Sequence, residues 1–212
     1  MKYLFLIILC AALVGACKNE KKNSPVKDTP IIKRDSTLVT DSTWGLIEKS
    51  ANFETLQKLF GSQNVKDQRI CGPECIDSLD VTIIFPEKDN EFIVYWEDSL
   101  YHRQISLIRC YSDNAPYHTA TGIKMGTTLN ELLKINGKPI AFFGFGWDYG
   151  GSVISLNHGV LEKTNVRFTL DLAENDDDNS LSGDTELNSE MPAVKKALDK
   201  IRVSEFLLLF NR

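Results

Sequence analysis

The sharpest alternation of apolar and polar side chains lies in Asn165–Leu172. Val166, Phe168, Leu170 and Leu172 point one way, and Arg167, Thr169 and Asp171 the other. A period of two predicts a half-buried antiparallel strand. Strand-like runs also occur at Val81–Phe85, Glu91–Trp96, Gln104–Cys110, Ile140–Trp147, Ser152–Leu156 and Val203–Phe210. The period changes in Gly122–Pro139, where Leu129, Leu132, Leu133 and Ile135 form a helical apolar face. Thr127 is placed to cap this helix, Gly137 to follow its end and Pro139 to stop it. A phosphate loop needs its glycines before the helix and a Lys-Ser or Lys-Thr pair at its start, so this stretch builds rather than binds. A shorter helix is predicted over Pro192–Lys200.

A similar helix occurs upstream. Gly45-Leu46-Ile47 matches Gly122-Ile123-Lys124, and the run Thr55–Gly61 matches Glu131–Gly137. The terminal glycines, Gly61 and Gly137, lie 76 residues apart. Each helix is followed by strand-like runs, so the pattern predicts an internal duplication. The expected class is α+β, with two tandem units of a helix and an antiparallel sheet. The first spans residues 42–118 and the second 119–212.

Residues 1–16 have the form of a secretory signal: Lys2, an apolar Leu4–Val14 and small Gly15 and Ala16 before Cys17. Val14-Gly15-Ala16-Cys17 resembles the lipobox of bacterial lipoproteins, which implies a diacylated Cys17 at the mature N-terminus. An ordinary cleaved signal is the alternative. Lys18 after the cysteine implies the outer membrane. Residues 17–41 are polar and contain Pro25 and Pro30, as suits a flexible tether. Each buried acyl methylene contributes about 0.8 kcal/mol, so several chains hold firmly to a membrane. The net charge of −5 argues against a nucleic-acid partner.

The spacing of Gly122–Pro139 resembles the helical segment of small envelope lipoproteins of the outer-membrane β-barrel assembly type. It is also similar to the β-lactamase-inhibitor-protein fold, in which two helix-plus-sheet units occur in tandem. The resemblance implies protein binding on a concave sheet face, without a cofactor. None of the family's contact residues maps onto this chain.

The most unusual stretch is AFFGFGWDYGG, Ala141–Gly151. Read as one strand, it places Phe143, Phe145, Trp147 and Tyr149 on one face, with the glycines and Asp148 on the other. Aromatic anchors are enriched in interface hot spots, which makes Phe145, Trp147, Asp148 and Tyr149 candidate partner-binding residues. The alternatives are packing against the Leu129–Leu133 helix, or a small-ligand or enzymatic site. Cys71 and Cys75 in CGPEC are spaced for a small disulfide loop, with Cys75–Cys110 as the other pairing. A copper site there lacks a nearby methionine or histidine. Asp178, Ser180, Ser182 and Gly183 imitate half a calcium loop, but Ser189 stands where its bidentate acid belongs. His102, His118 and His158 have no ligand spacing, and Ser152 is not in a nucleophile elbow. The residues therefore point to a lipid-anchored, non-enzymatic binding or assembly module.

Overall fold

The computed structural model describes residues 34–72, 75–98, 100–173 and 179–210. The predicted signal, Cys17 and the tether up to residue 33 lie outside the described residues, as does Asp178. In chain order the strands are β1 (Leu38–Val39), β2 (Thr43–Trp44), β3 (Ile47–Glu48), β4 (Val65–Cys71), β5 (Ser78–Ile84), β6 (Phe92–Trp96), β7 (Ile105–Cys110), β8 (His118–Thr119), β9 (Ala141–Phe143), β10 (Val153–Ser155), β11 (Val166–Leu172), β12 (Glu186–Asn188) and β13 (Ile201–Leu209). The helices are α1 (Phe53–Phe60), α2 (Leu129–Asn136) and α3 (Pro192–Lys196). The class is α+β, dominated by antiparallel sheet.

The main sheet has six strands in the order β11-β13-β7-β6-β5-β4, all antiparallel. It crosses from one half of the sequence to the other where β13 pairs with β7, with Phe206 opposite Cys110 and Leu208 opposite Ile108. Two smaller sheets, β3-β2-β1-β8 and β10-β9-β12, stand beside it. β4 has no counterpart among the expected strands. Its exposed Lys66, Asp67, Gln68 and Arg69 hide the alternation because it is an edge strand, and charged edges resist further pairing.

One face of the main sheet carries Ile84, Phe92, Val94, Ile108, Val203, Phe206 and Leu208 into the principal core. Leu56 of α1 and Leu129 and Leu132 of α2 join the same core. Trp44 sits at its centre, with ring centroids 4.9 Å from Tyr117 and 5.7 Å from both Phe92 and Phe206. The other face holds a small cluster of Val81, Ile83 and Ile93, flanked by Ile70 and Tyr95.

The helix ends follow local chemistry. Asn52 caps α1 by accepting from the Thr55 N–H at 2.8 Å. The cap of α2 is Thr128 rather than the expected Thr127. Thr128 and Glu131 form a reciprocal capping box, whereas the Thr127 hydroxyl accepts from the Lys124 N–H. The Thr128 N–H and hydroxyl hold the Glu131 carboxyl below its usual pKa. Gly137 ends α2 in the left-handed conformation, as its position predicts.

Asn136 closes α2 from within the core. Its amide donates to the Lys138 and Leu156 carbonyls, both at 2.9 Å, and its oxygen accepts from the Leu161 N–H at 3.2 Å. Asn136→Ala strips partners from buried groups and is expected to destabilise the fold by about 2–3 kcal/mol, read by urea unfolding. An effect near zero would show that these backbone groups find other partners.

Candidate functional site

The aromatic segment is a hairpin loop, not a continuous strand. β9 ends at Phe143, and the chain returns through Gly151 to β10. The Gly151 N–H donates to the Phe143 carbonyl and the Phe143 N–H to the Ser152 carbonyl, both at 3.0 Å. Inside the loop, the Gly150 N–H reaches the Trp147 carbonyl at 2.9 Å and the Ser152 N–H the Tyr149 carbonyl at 3.1 Å. The indole N–H of Trp147 donates to the Gly144 carbonyl at 2.8 Å, which fixes the ring over the loop.

Gly151 makes this turn possible. Its φ is +73°, and an added Cβ would lie 1.7 Å from the Leu170 carbonyl oxygen. That carbonyl belongs to β11, and the Leu170 N–H donates to the Gly151 carbonyl at 2.9 Å. The loop is thereby pinned to the main sheet. Gly151→Ala combines left-handed strain with a backbone collision, and is expected to lower the melting temperature by several degrees. An unchanged melting temperature would mean that the hairpin and β11 separate without cost.

The turn divides the aromatics differently from strict alternation. Phe145 is buried, its ring centroid 5.8 Å from that of Phe142, and its N–H donates to the Leu181 carbonyl. It belongs to the core and not to the expected exposed face. The outward set is Phe143, Trp147 and Tyr149. Phe143 meets Trp147 edge-to-face at 5.3 Å, and Trp147 meets Tyr149 at 5.4 Å. Phe143 and Trp147 are half-buried, and Tyr149 is 53% exposed. Asp148 is exposed between the latter two. On β12, Glu186 is paired directly opposite Phe143, so the two side chains share a face. Segments 141–155 and 179–191 contain Asp148, Asp184, Glu186 and Glu190 but no lysine or arginine. The ladder is therefore an aromatic ridge in acidic surroundings.

The cysteines are placed as follows. Cys71 and Cys75 lie at disulfide distance, with Cα atoms 4.8 Å apart. Cys110 is free and buried on β7, which removes the Cys75–Cys110 alternative. Its thiol lies 3.3 Å from the Glu91 carbonyl, and burial pushes its pKa up to about 11. A thiol with a raised pKa stays protonated at pH 8, so a thiol reagent is expected to modify Cys110 only after unfolding. Cys110→Ser should abolish that denaturant-dependent reaction. Modification of the folded protein at pH 8 would contradict the buried placement.

One polar chain was not visible in the sequence. The Trp96 indole N–H donates to the Thr82 hydroxyl at 3.0 Å, and that hydroxyl donates to Asp67 Oδ1 at 2.6 Å. Asp67 Oδ2 lies 3.6 Å from Nδ1 of His102, whose ring stacks on Trp96 with centroids 4.8 Å apart. Thr82 is fully buried, so its hydroxyl braces the sheet and no substrate reaches it. His118 and His158 stand apart, beside Asp35 and Glu162 respectively. Among the described residues no three His, Cys, Asp or Glu side chains converge as metal ligands, and no helix is long and apolar enough to cross a membrane. An apolar cleft lined by Trp44, Leu46, Phe60, Phe85 and Tyr117 has a volume of about 240 Å³. It lies away from the aromatic ladder and falls below the roughly 300 Å³ at which drug-sized ligand sites begin.

No protein-family model matches this chain, and no curated protein matches it significantly. Among solved structures, the chain is similar to the uncharacterized protein yfeY from Escherichia coli. The two share 12% sequence identity and a TM-score of 0.49, over 82% of this chain and 99% of that one.

Proposed function

We propose that this protein is a lipid-anchored component of the bacterial cell envelope that works by binding another protein rather than by catalysis. The observation that carries the binding role is the ladder Phe143–Trp147–Tyr149, an aromatic ridge held by a backbone-pinned loop, with Phe143 and Trp147 half-buried and Tyr149 open to solvent. Rigid aromatic rings offer large contact area with little entropy to lose on binding. Glu186 and Asp148 beside the rings favour a partner that presents lysine or arginine next to apolar surface. The anchoring reading rests on Val14-Gly15-Ala16-Cys17, and Lys18 favours the outer membrane.

The tandem-unit reading has local support. Gly45 and Gly122 both take positive φ, as do Gly61 and Gly137, and each glycine pair flanks a capped helix of eight residues. After the helices the halves diverge: four strands form a meander in the first, and the second divides its strands between two sheets.

A photo-crosslinking side chain at position 149, in the lipidated protein within its own envelope, tests the binding role. One protein is expected to crosslink there and not at Lys195 on α3. Trp147→Ala should abolish that crosslink with little change in melting temperature. Loss of the fold on Trp147→Ala would make the ladder part of the core, and equal labelling from Lys195 would remove the specific site.

A further inference from the structure

A second exposed apolar feature lies at one end of the strands of the main sheet. β4 and β5 form one hairpin, and β6 and β7 another. β5 pairs with β6, Val81 opposite Tyr95 and Ile84 opposite Phe92, so both turns fall at the same end of the sheet. There Ile76 is 82% exposed, Leu100 78% and Tyr101 61%. Large side chains left this bare need an explanation.

The backbone beneath them is braced. The Gly72 N–H donates to the Asp77 carbonyl at 2.7 Å, and the Cys71–Cys75 pair closes the same turn. In the second turn the Glu97 N–H meets the Gln104 carbonyl at 2.9 Å, and the Tyr101 N–H meets Asp98 Oδ1 at 2.8 Å. The His102 carbonyl accepts from the Phe53 N–H at 3.2 Å, tying the turn to α1. The turns hold apolar prongs outward instead of folding them in.

Two further observations indicate what the prongs meet. The guanidinium carbon of Arg103 stands 4.5 Å over the Tyr101 ring, which pairs an amphipathic aromatic with a cation suited to a phosphate headgroup. The chain also enters the fold close by. Arg34 lines an open cleft with Glu48, Lys49 and Gln104, and the Lys49 carbonyl accepts from the Ile105 N–H at the root of the second turn. Residues 17–33 precede Arg34, and the tether read there from the sequence would, as a random coil of that length, span about 20–25 Å. On the lipid-anchor reading, a lipid on Cys17 would keep the entry point at Arg34 within that span of the bilayer.

We propose that Ile76, Leu100 and Tyr101 dip into the headgroup boundary of the membrane to which the protein is tethered. The inference rests on the lipid-anchor reading. The anionic Asp77 and Asp98 beside the prongs direct it to a zwitterionic surface rather than an acidic one. Tether and prongs together then fix the orientation of the molecule, which a flexible tether alone cannot do.

The test uses the full lipidated chain in vesicles of phosphatidylethanolamine and phosphatidylcholine, with a polarity-sensitive fluorophore on Leu100→Cys, on Ile76→Cys, or on Lys195→Cys as control. Cys110 is buried and Cys71 and Cys75 are paired with each other, so the introduced thiol is the one that reacts. A blue shift and quenching by acyl-chain nitroxides are expected at 76 and 100, with neither at 195. Flotation with vesicles but water-like emission at 76 and 100 would overturn the membrane contact and leave the anchor standing. Failure to float, matched by Cys17→Ser, would overturn both. Shielding of position 100 without vesicles, rising with protein concentration, would assign the prongs to a second copy. Shielding only when envelope proteins are added would assign them to a protein. Either result would overturn the membrane contact.

Discussion

The pairing of β13 with β7 holds the two halves of the chain together. β13 is the final strand, yet its neighbour is the last strand of the first-half meander, with Leu207 opposite Arg109 and Leu209 opposite Leu107. This single ladder brings Phe206 beneath Trp44 and sets β11 on the outer side, where Gly151 and the aromatic loop attach. Without it, Trp44 would lose one of the three rings it packs against, and the loop would have no sheet to stand on. The contact is long-range in sequence, so its loop-closure entropy must be met before the core rewards it.

The same constraint explains the polar group inside the sheet. Glu205 of β13 is buried, and it survives there because the Thr169 hydroxyl on β11 donates to it at 2.6 Å and Arg109 on β7 pairs with its other oxygen. The three strands each supply one member. A buried carboxylate with both oxygens engaged penalises any slip of β13, since a one-residue shift would turn Glu205 toward the apolar core. Buried ion pairs add little net stability, so the larger effect is on register.

Legibility in the sequence tracked locality. The helix ends at Gly61 and Gly137 were readable because capping depends on residues within one turn; the slip from Thr127 to Thr128 is a choice between adjacent hydroxyls that only the Glu131 partner decides. Alternation revealed β11 because one face is buried and the other polar. It failed at β4, whose edge position leaves both faces mostly wet. It failed again after Phe143, where Gly144 approaches the Gly183 carbonyl so closely that an added Cβ would lie 2.6 Å away. That contact comes from a segment some forty residues later, and it turns Phe145 inward while leaving Trp147 and Tyr149 outside. The composition of the ladder was therefore visible, but its membership was not. The hairpin prongs leave no trace in the sequence pattern, because isolated apolar residues in turns have no period, and only the pairing of β5 with β6 brings them to one end of the sheet.

The two exposed features attach to different strands of one sheet. The hairpin prongs belong to the β4–β7 side, next to the entry of the chain at Arg34, while the aromatic ladder hangs from β11. An anchored protein whose prongs and tether engaged one bilayer would stand with its strands rising from the lipid, because both turns lie at one end of them. β11 begins at that same end with Val166, and the loop is pinned at Leu170, four residues further along, a rise of about 13 Å. The rigid sheet makes the spacing meaningful: a floppy connection between the two features would let the ladder lie against the lipid, where its aromatic rings would be taken up by the interface and lost to any protein.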